Sequence, residues 1–156
     1  MYELVQMLDN NLIYLDHQVL NDSIIIYVCS KHDEAKCPYC GTASSRIHST
    51  YERSFQDLPI QGKQVNVIIE NRKYFCDNTH CLKTTFAEAF ECLKPKSKKS
   101  NRLMDEIVKV SIEVSSVTAS RLLNDGVAKV CKSTVCEILK KNGKNIGQGK
   151  RRENMH

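Results

Sequence analysis

Hydrophobic residues in the first part of the chain alternate with polar ones or form short β-branched runs, which is the pattern of β-strands. Strands are predicted at four places, namely residues 12–20, 23–29, 46–55 and 65–75. Asn21-Asp22 suits a hairpin turn between the first two strands. Asp57-Leu58-Pro59 with Gly62 predicts the turn between the last two. With a short amphipathic helix at 2–8, the pattern predicts a small antiparallel sheet.

After residue 100 the hydrophobic positions change to helical spacing. Serines suit the N-caps of three helices, and these are Ser100, Ser115 or Ser116, and Ser133. The second helix, residues 117–123, is expected to bury Ala119, Leu122 and Leu123. The third helix, residues 134–141, is expected to end at Asn142-Gly143. Three short helices with a Gly-containing turn before the last predict a helix-turn-helix unit.

Charge divides the chain at the same place. Residues 1–92 hold 8 Lys or Arg and 12 Asp or Glu, a net charge of −4, whereas residues 93–156 hold 15 and 6, a net charge of +9. Affinity for a polyanion is therefore expected mainly in the second part. Between the two parts, residues 93–99 contain four lysines and a proline, which predicts a basic linker.

Four of the eight cysteines form two pairs with the spacing of metal ligands. Cys37 and Cys40 stand on a Pro/Gly turn, and Cys76 and Cys81 follow the last predicted strand. Four thiolates bind Zn²⁺ tetrahedrally and leave no open position, so the spacing predicts a structural zinc site. Two disulfides or buried thiols are alternatives, but the N-terminus does not resemble a signal peptide and a reducing compartment favours metal.

Other groups near these cysteines have competing interpretations. His80 is a rival ligand to Cys81, although symmetry with the first pair favours the thiolate. The cysteines outside the two pairs are predicted to be buried apolar residues, and these are Cys29, Cys92, Cys131 and Cys136. On the strand at 46–55, a solvated face is favoured over contact with a phosphate backbone for Arg46, His48, Tyr51 and Arg53.

These observations predict an α+β protein, in which a zinc-ribbon-like sheet domain precedes an all-α domain. The predicted parts are a zinc-binding β domain at 1–92, the linker at 93–99, a helix-turn-helix domain at 100–142 and a flexible basic tail at 143–156. No apolar run approaches the length of a membrane span. We therefore expect no membrane partner and a cytoplasmic, nucleoid-associated protein.

The third predicted helix is the candidate for contact with DNA in the major groove. Thr134 and Glu137 are the candidates for reading bases, Glu137 by accepting from a cytosine amino group. The other candidate DNA-binding residues are basic or exposed, and they are Lys98, Lys99, Arg102, Lys132, Ser133, Lys140 and Lys141. A three-helix packing unit with a solvated basic face is the alternative.

Several motifs together resemble one family. The residues that carry the resemblance are Cys37-Pro38-Tyr39-Cys40-Gly41, Arg46, His48, Asp57-Leu58-Pro59, Gly62, Tyr74, Cys76-Asp77-Asn78, Cys81 and Thr85-Phe86. They resemble the zinc-binding N-terminal domain of bacterial insertion-sequence transposases of the "ISL-three" type. The segment around Ser133-Thr134-Val135 is similar to that family's helix-turn-helix. The resemblance implies binding to the terminal inverted repeats of double-stranded DNA during transposition.

The same resemblance implies a separate catalytic domain with two Asp and one Glu on an RNase-H-like fold. Residues 142–156 are too few for such a domain, which needs on the order of 100 residues. We therefore expect no catalytic residues and no enzyme activity in this chain. The alternative function is a stand-alone repressor or a protein-interaction module, whose partner is a full-length transposase or a second copy of the chain.

Overall fold

A computed structural model describes the backbone of residues 1–149 and the side chains of residues 1–142. Its helices and strands in chain order are α1 (Tyr2–Leu8), β1 (Leu12–Val19), β2 (Ser23–Ser30), β3 (Ala35–Lys36), β4 (Ala43–Ser44), β5 (Ile47–Ile60), β6 (Lys63–Phe75), β7 (Thr85–Ala87), α2 (Asn101–Glu113), α3 (Ser116–Asn124) and α4 (Lys132–Gly149). The predicted α+β class is confirmed. Within residues 1–149, none of the helices combines the length and the apolarity that a bilayer span requires.

The main sheet has the strand order β1-β2-β6-β5, and β7 pairs with the end of β6. The predicted hairpin of β1 and β2 is confirmed, but the prediction of a wholly antiparallel sheet is wrong, because β2 and β6 run parallel. Their pairing brings Ile24, Ile26 and Val28 beside Val65, Val67 and Ile69. The two most apolar strands therefore lie together at the centre of the sheet, where both contribute to one buried face.

The turn between β5 and β6 lies later than predicted. Asp57-Leu58-Pro59 belongs to β5, where the register with β6 shifts between Asp57 and Ile60. Gln61 and Gly62 form the turn with φ values of 50° and 77°. Two successive positive φ values are typical of the hairpin turns that match strand twist. The proline is accommodated because β5 is an edge strand of the sheet.

The segment at 93–99, predicted as a linker, contacts both the sheet core and the edge of β5. Leu93 is buried in the sheet core beside Phe90 and Cys92. The Gln56 N–H donates to the Lys98 carbonyl at 2.9 Å, and the Ser100 N–H donates to the Gln56 carbonyl at the same distance. The segment thus extends the sheet by a parallel bridge at Gln56.

The helices begin largely where the serines predict. The hydroxyl oxygens of Ser100 and Ser115 accept hydrogen bonds from the third residues of α2 and α3, which confirms both N-caps. Leu122 is 47% exposed, so its predicted burial is wrong. The buried positions of α3 are Ala119 and Leu123, which are four residues apart and share one face.

The third predicted helix is longer than its sequence pattern indicates. α4 begins at Lys132, so Ser133 lies inside the helix, and α4 continues past Asn142-Gly143 to Gly149. One glycine in a helix costs only about 1 kcal/mol, which neighbouring helical hydrogen bonds offset. Residues 143–149 of the predicted tail are therefore helical, and residues 150–156 lie outside the described residues.

Asp57 joins the sheet to the helices. Its side chain is 4% exposed, and its Oδ1 accepts from Ser100 Oγ at 2.6 Å and from Arg102 Nε at 2.8 Å. Arg102 Nη2 also donates to Asp57 Oδ2. Its neighbour Leu58 packs against the core of the helices. The N-terminus of α2 is therefore held on β5 by charge-assisted hydrogen bonds.

Candidate metal centre and nucleic-acid interface

The first cysteine pair lies on a tight turn between β3 and β4. The Cys37 N–H donates to the Thr42 carbonyl at 2.9 Å, and the Gly41 N–H donates to the Cys37 carbonyl at 2.8 Å. Gly41 has a φ of +77°, a conformation that side chains disfavour. This turn points the thiols of Cys37 and Cys40 to the same side, as zinc ribbons require.

The second cysteine pair lies beyond the end of β6. The Cys76 N–H donates to the Thr84 carbonyl at 2.8 Å, and the Cys81 N–H donates to the Asn78 carbonyl at 3.1 Å. The Asn78 side chain also accepts from the His80 N–H at 3.0 Å. These hydrogen bonds close the turn and bring Cys81 back beside Cys76.

The structure brings the four predicted ligands together. The sulfur atoms of Cys37, Cys40, Cys76 and Cys81 all lie within 4.8 Å of one another. Cys37 Sγ is 3.9 Å from Cys81 Sγ, and Cys40 Sγ is 3.5 Å from Cys76 Sγ. A tetrahedral site with Zn–S bonds of about 2.3 Å separates its sulfurs by about 3.8 Å. The cluster therefore fits a structural Zn²⁺ ion with four thiolate ligands.

A small apolar cluster lies directly behind these cysteines. Tyr74 and Phe86 stack with their ring centroids 5.8 Å apart, and Cys37 is buried against them. This cluster is separate from the sheet core and has few members. Because so small a cluster buries little apolar surface, the metal would provide much of the stability of the region around the two cysteine turns.

The thiols of Cys40 and Cys76 have pKa values shifted in opposite directions by their surroundings. Hydrogen bonds from Thr42 lower the pKa of the Cys40 thiol to about 6. The backbone at Asn78 lowers the pKa of Cys76, but desolvation and the neighbouring thiols outweigh it and raise this pKa to about 12. Because thiolates are the form that binds Zn²⁺, zinc binding would displace the protons that remain on these thiols.

His80 is placed outside the cluster, although its spacing made it a rival ligand. It is exposed, and the group of mutually close metal-ligating atoms contains Cys81 instead. We expect His80→Ala to keep one zinc ion per chain and to change the melting temperature by only a few degrees, since surface substitutions usually cost under about 0.5 kcal/mol. Metal analysis and thermal unfolding of the variant check this, and loss of zinc would make His80 a ligand.

The predicted DNA-binding residues of α4 lie on one side of the helix. Val135 and Ile138 face the helical core. The residues exposed on the other side are Lys132, Ser133, Glu137, Lys140 and Lys141, and Thr134 is half-buried. The structure thus brings basic residues together with the candidate base-reading residues on the surface of α4.

The remaining predicted contacts are placed elsewhere. Lys98 is exposed and Lys99 is half-buried beside β5. Arg102 pairs with Asp57, so its guanidinium is already engaged within the chain. Arg102 therefore lies at the contact between α2 and β5 and not on the exposed side of α4.

Three of the four cysteines outside the metal cluster differ in their burial from the prediction. Cys92 is buried as predicted, Cys29 and Cys136 are half-buried, and Cys131 is exposed. Cys131 precedes α4, and hydrogen bonds with Ser133 and Thr134 lower the pKa of its thiol to about 7. Its sulfur is exposed because the side chain lies beside the hydroxyl groups of Ser133 and Thr134 in the first turn of α4 and not in the core.

Arg46 is exposed, as sequence reasoning favoured, and it also makes a specific contact within the chain. Arg46 Nε donates to Asp77 Oδ1 at 2.6 Å and its guanidinium lies 5.2 Å from the Phe75 ring centroid. The start of β5 is thereby tied to the turn that carries Cys76. Arg46 and Asp77 are 31 residues apart, so their ion pair could not be predicted from local pattern. The one available signal was that Asp77 directly follows the metal ligand Cys76.

Residues 33–81 match the sequence model of a family described as the zinc-finger of transposase IS204/IS1001/IS1096/IS1165. The matched segment contains all four clustered cysteines. Comparison of the chain with curated proteins and with solved structures gave no match. The metal-binding region is therefore similar to a transposase zinc finger of the type that the motifs indicate.

Proposed function

We propose that this chain is the DNA-recognition part of an ISL-three-type transposase and binds the terminal inverted repeats of its element. The observation that supports the proposal most is that two features occur together in one chain. A segment matching a transposase zinc finger at 33–81 is followed by three packed helices, the last of which has an exposed basic side. Basic surfaces on a helix are typical of DNA-binding units.

In this proposal the zinc ion has an architectural role. Four thiolates leave no coordination position for water or substrate, so the metal supplies no catalysis and holds two turns together. The described residues are proposed to bind DNA, and no step of strand cleavage is proposed for them. A catalytic function would need a set of acidic ligands that is separate from the thiolate cluster.

The helices are proposed to form a helix-turn-helix unit with α4 as the recognition helix. Residues 125–131 connect α3 to α4, a longer connection than the usual three or four residues. Asn124 organises this connection, because its Nδ2 donates to the Val130 carbonyl at 2.6 Å and its Oδ1 accepts from the Val130 N–H at 3.2 Å. The start of α4 is therefore held in a defined position, as base reading requires.

A titration of the zinc-loaded chain with duplex DNA tests the proposal. The chain should prefer the element's terminal repeat over a scrambled duplex by roughly tenfold or more, and the affinity should fall steeply with salt. Glu137→Ala should reduce the preference by roughly 1–3 kcal/mol if Glu137 reads a base. Lys140→Ala should weaken binding to both duplexes alike and lower the salt slope by about one.

Lys109→Ala is the matched control, since Lys109 is an exposed lysine on α2, away from the α4 surface. It should leave both affinity and preference nearly unchanged. Equal, weak and salt-insensitive binding to both duplexes would contradict DNA recognition. If Glu137→Ala and Lys140→Ala behave identically, α4 is not the recognition helix.

A further inference from the structure

A cleft of about 650 Å³ lies between the first cysteine turn, β5, the segment after β7, and residues 93–98. Its size falls within the range of small-ligand sites. We call it the tyrosine cleft, and the residues that define it are Tyr39, Tyr51, Arg53, Lys96 and Lys98. None of its walls belongs to the α4 surface.

The two tyrosines offer exposed aromatic faces, and Lys83 Nζ lies 5.9 Å from the centroid of the Tyr39 ring. Tyr51 is 43% exposed, and its hydroxyl oxygen accepts from Nδ2 of Asn71, a fully buried residue of β6. Tyr39 is 61% exposed and lies between Cys37 and Cys40, on the turn that zinc would fix. Exposed aromatic rings held in place lose little conformational entropy on binding, so they are suited to stacking.

Cations line the wall beside the tyrosines. Arg53 Nη2 donates to the carbonyls of Lys94 and Ser97, at 2.7 Å and 3.1 Å, and so holds the segment that carries Lys96 and Lys98. The side chains of Lys96 and Lys98 are exposed. A ligand that stacks on the tyrosines therefore has ammonium groups within reach of an attached anion.

The acidic residues of the cleft reduce this charge only in part. Glu52 is exposed, whereas Glu88 is buried and its Oε1 accepts from Ser30 Oγ. Burial raises the pKa of the Glu88 carboxyl. The three cations of the cleft, Arg53, Lys96 and Lys98, thus outnumber the exposed carboxylate of Glu52.

We propose that the tyrosine cleft binds an unpaired nucleotide of single-stranded DNA. The base stacks on Tyr51 or Tyr39, and the flanking phosphates are held by Lys96 and Lys98. Aromatic faces beside cations are the general means by which proteins hold single strands, because every base has a face to stack. A peptide carboxylate would use the lysines but not the rings, and a base inside a duplex has both faces covered by its stacked neighbours.

Fluorescence anisotropy of the full zinc-loaded chain with a labelled single-stranded oligothymidylate of about 12 nucleotides tests this site. Whichever tyrosine stacks the base, its alanine variant, Tyr51→Ala or Tyr39→Ala, should weaken binding by about tenfold, the loss expected for one stacked base. Tyr51→Phe should keep most of the affinity, because it keeps the ring and loses only the hydrogen bond that the hydroxyl accepts from Asn71. Tyr2→Ala is the matched control, since Tyr2 is 55% exposed on α1 and outside the cleft.

Zinc content and melting temperature, measured for each variant, show whether the cleft is still folded. The proposal is overturned if both alanine variants fold and bind the single strand as well as the parent, or if Tyr51→Phe loses as much affinity as Tyr51→Ala. It does not depend on the duplex proposal. If the chain does not bind the single strand but still prefers the terminal-repeat duplex, the cleft proposal is wrong and the duplex proposal stands. If the chain binds the single strand but shows no duplex preference, the proposal for α4 is wrong and the cleft proposal stands.

Discussion

Cys76→Ser is expected to release the zinc ion and to unfold the sheet part of the chain. Cys76 is one of four thiolate ligands, and serine at pH 7 offers a neutral hydroxyl in place of a thiolate. Structural zinc sites contribute on the order of 10 kcal/mol of apparent binding free energy, which is comparable to the whole stability of a small domain. Zinc analysis and circular dichroism of the purified variant measure both effects.

Cys29→Ser is the matched control for this substitution. Cys29 is a half-buried cysteine of β2 that lies outside the metal cluster. This variant should keep one zinc ion per chain and lose only a small part of its stability. If Cys76→Ser also keeps one zinc ion and an unchanged melting temperature, the four-thiolate site is wrong.

Asp57→Asn is expected to lower the free energy of unfolding by about 2 kcal/mol, the loss typical of hydrogen bonds to a charged group, because the Arg102 side chain is 38% exposed and stays partly solvated. The Asp57 carboxylate accepts from both Ser100 and Arg102, and it is almost fully buried. An amide in its place keeps an acceptor for Ser100 Oγ and Arg102 Nε, but it turns a donor toward Arg102 Nη2 and removes the compensating negative charge. Urea unfolding of the zinc-loaded chain measures the change.

Asp105→Asn provides the comparison, because Asp105 is an exposed carboxylate on α2. It should change the free energy of unfolding by less than about 0.5 kcal/mol. Combining Asp57→Asn with Arg102→Ala should cost clearly less than the sum of the single changes, since the residues form one network. Additive effects would show that the pair does not hold α2 on β5.

The Asp57 result also bears on DNA recognition. If the pair fixes α2 on the sheet, its loss should let the helices move relative to the zinc-binding part. Arg102→Ala would then reduce DNA affinity through stability and orientation, without the lowered salt slope expected for a lost phosphate contact. The salt dependence thus separates the two roles of Arg102.

Features that depend on residues close together in the chain could be predicted from the sequence. The ligand pairs around Cys37 and Cys76 were predictable, because metal spacing is local in each pair. The N-caps at Ser100 and Ser115 were predictable for the same reason, since each serine bonds a backbone group three residues later. The hairpin of β1 and β2 followed from its turn residues and β-branched runs.

Contacts between residues that are distant in sequence could not be predicted in this way. The parallel pairing of β2 with β6, the hydrogen bonds of Asp57 with Ser100 and Arg102, and the walls of the tyrosine cleft all join parts far apart in sequence. Such contacts depend on how faces pack after the elements form, and periodicity carries no information about that choice. The length of α4 belongs here too, because its last turns contradict the local stop signal at Asn142-Gly143.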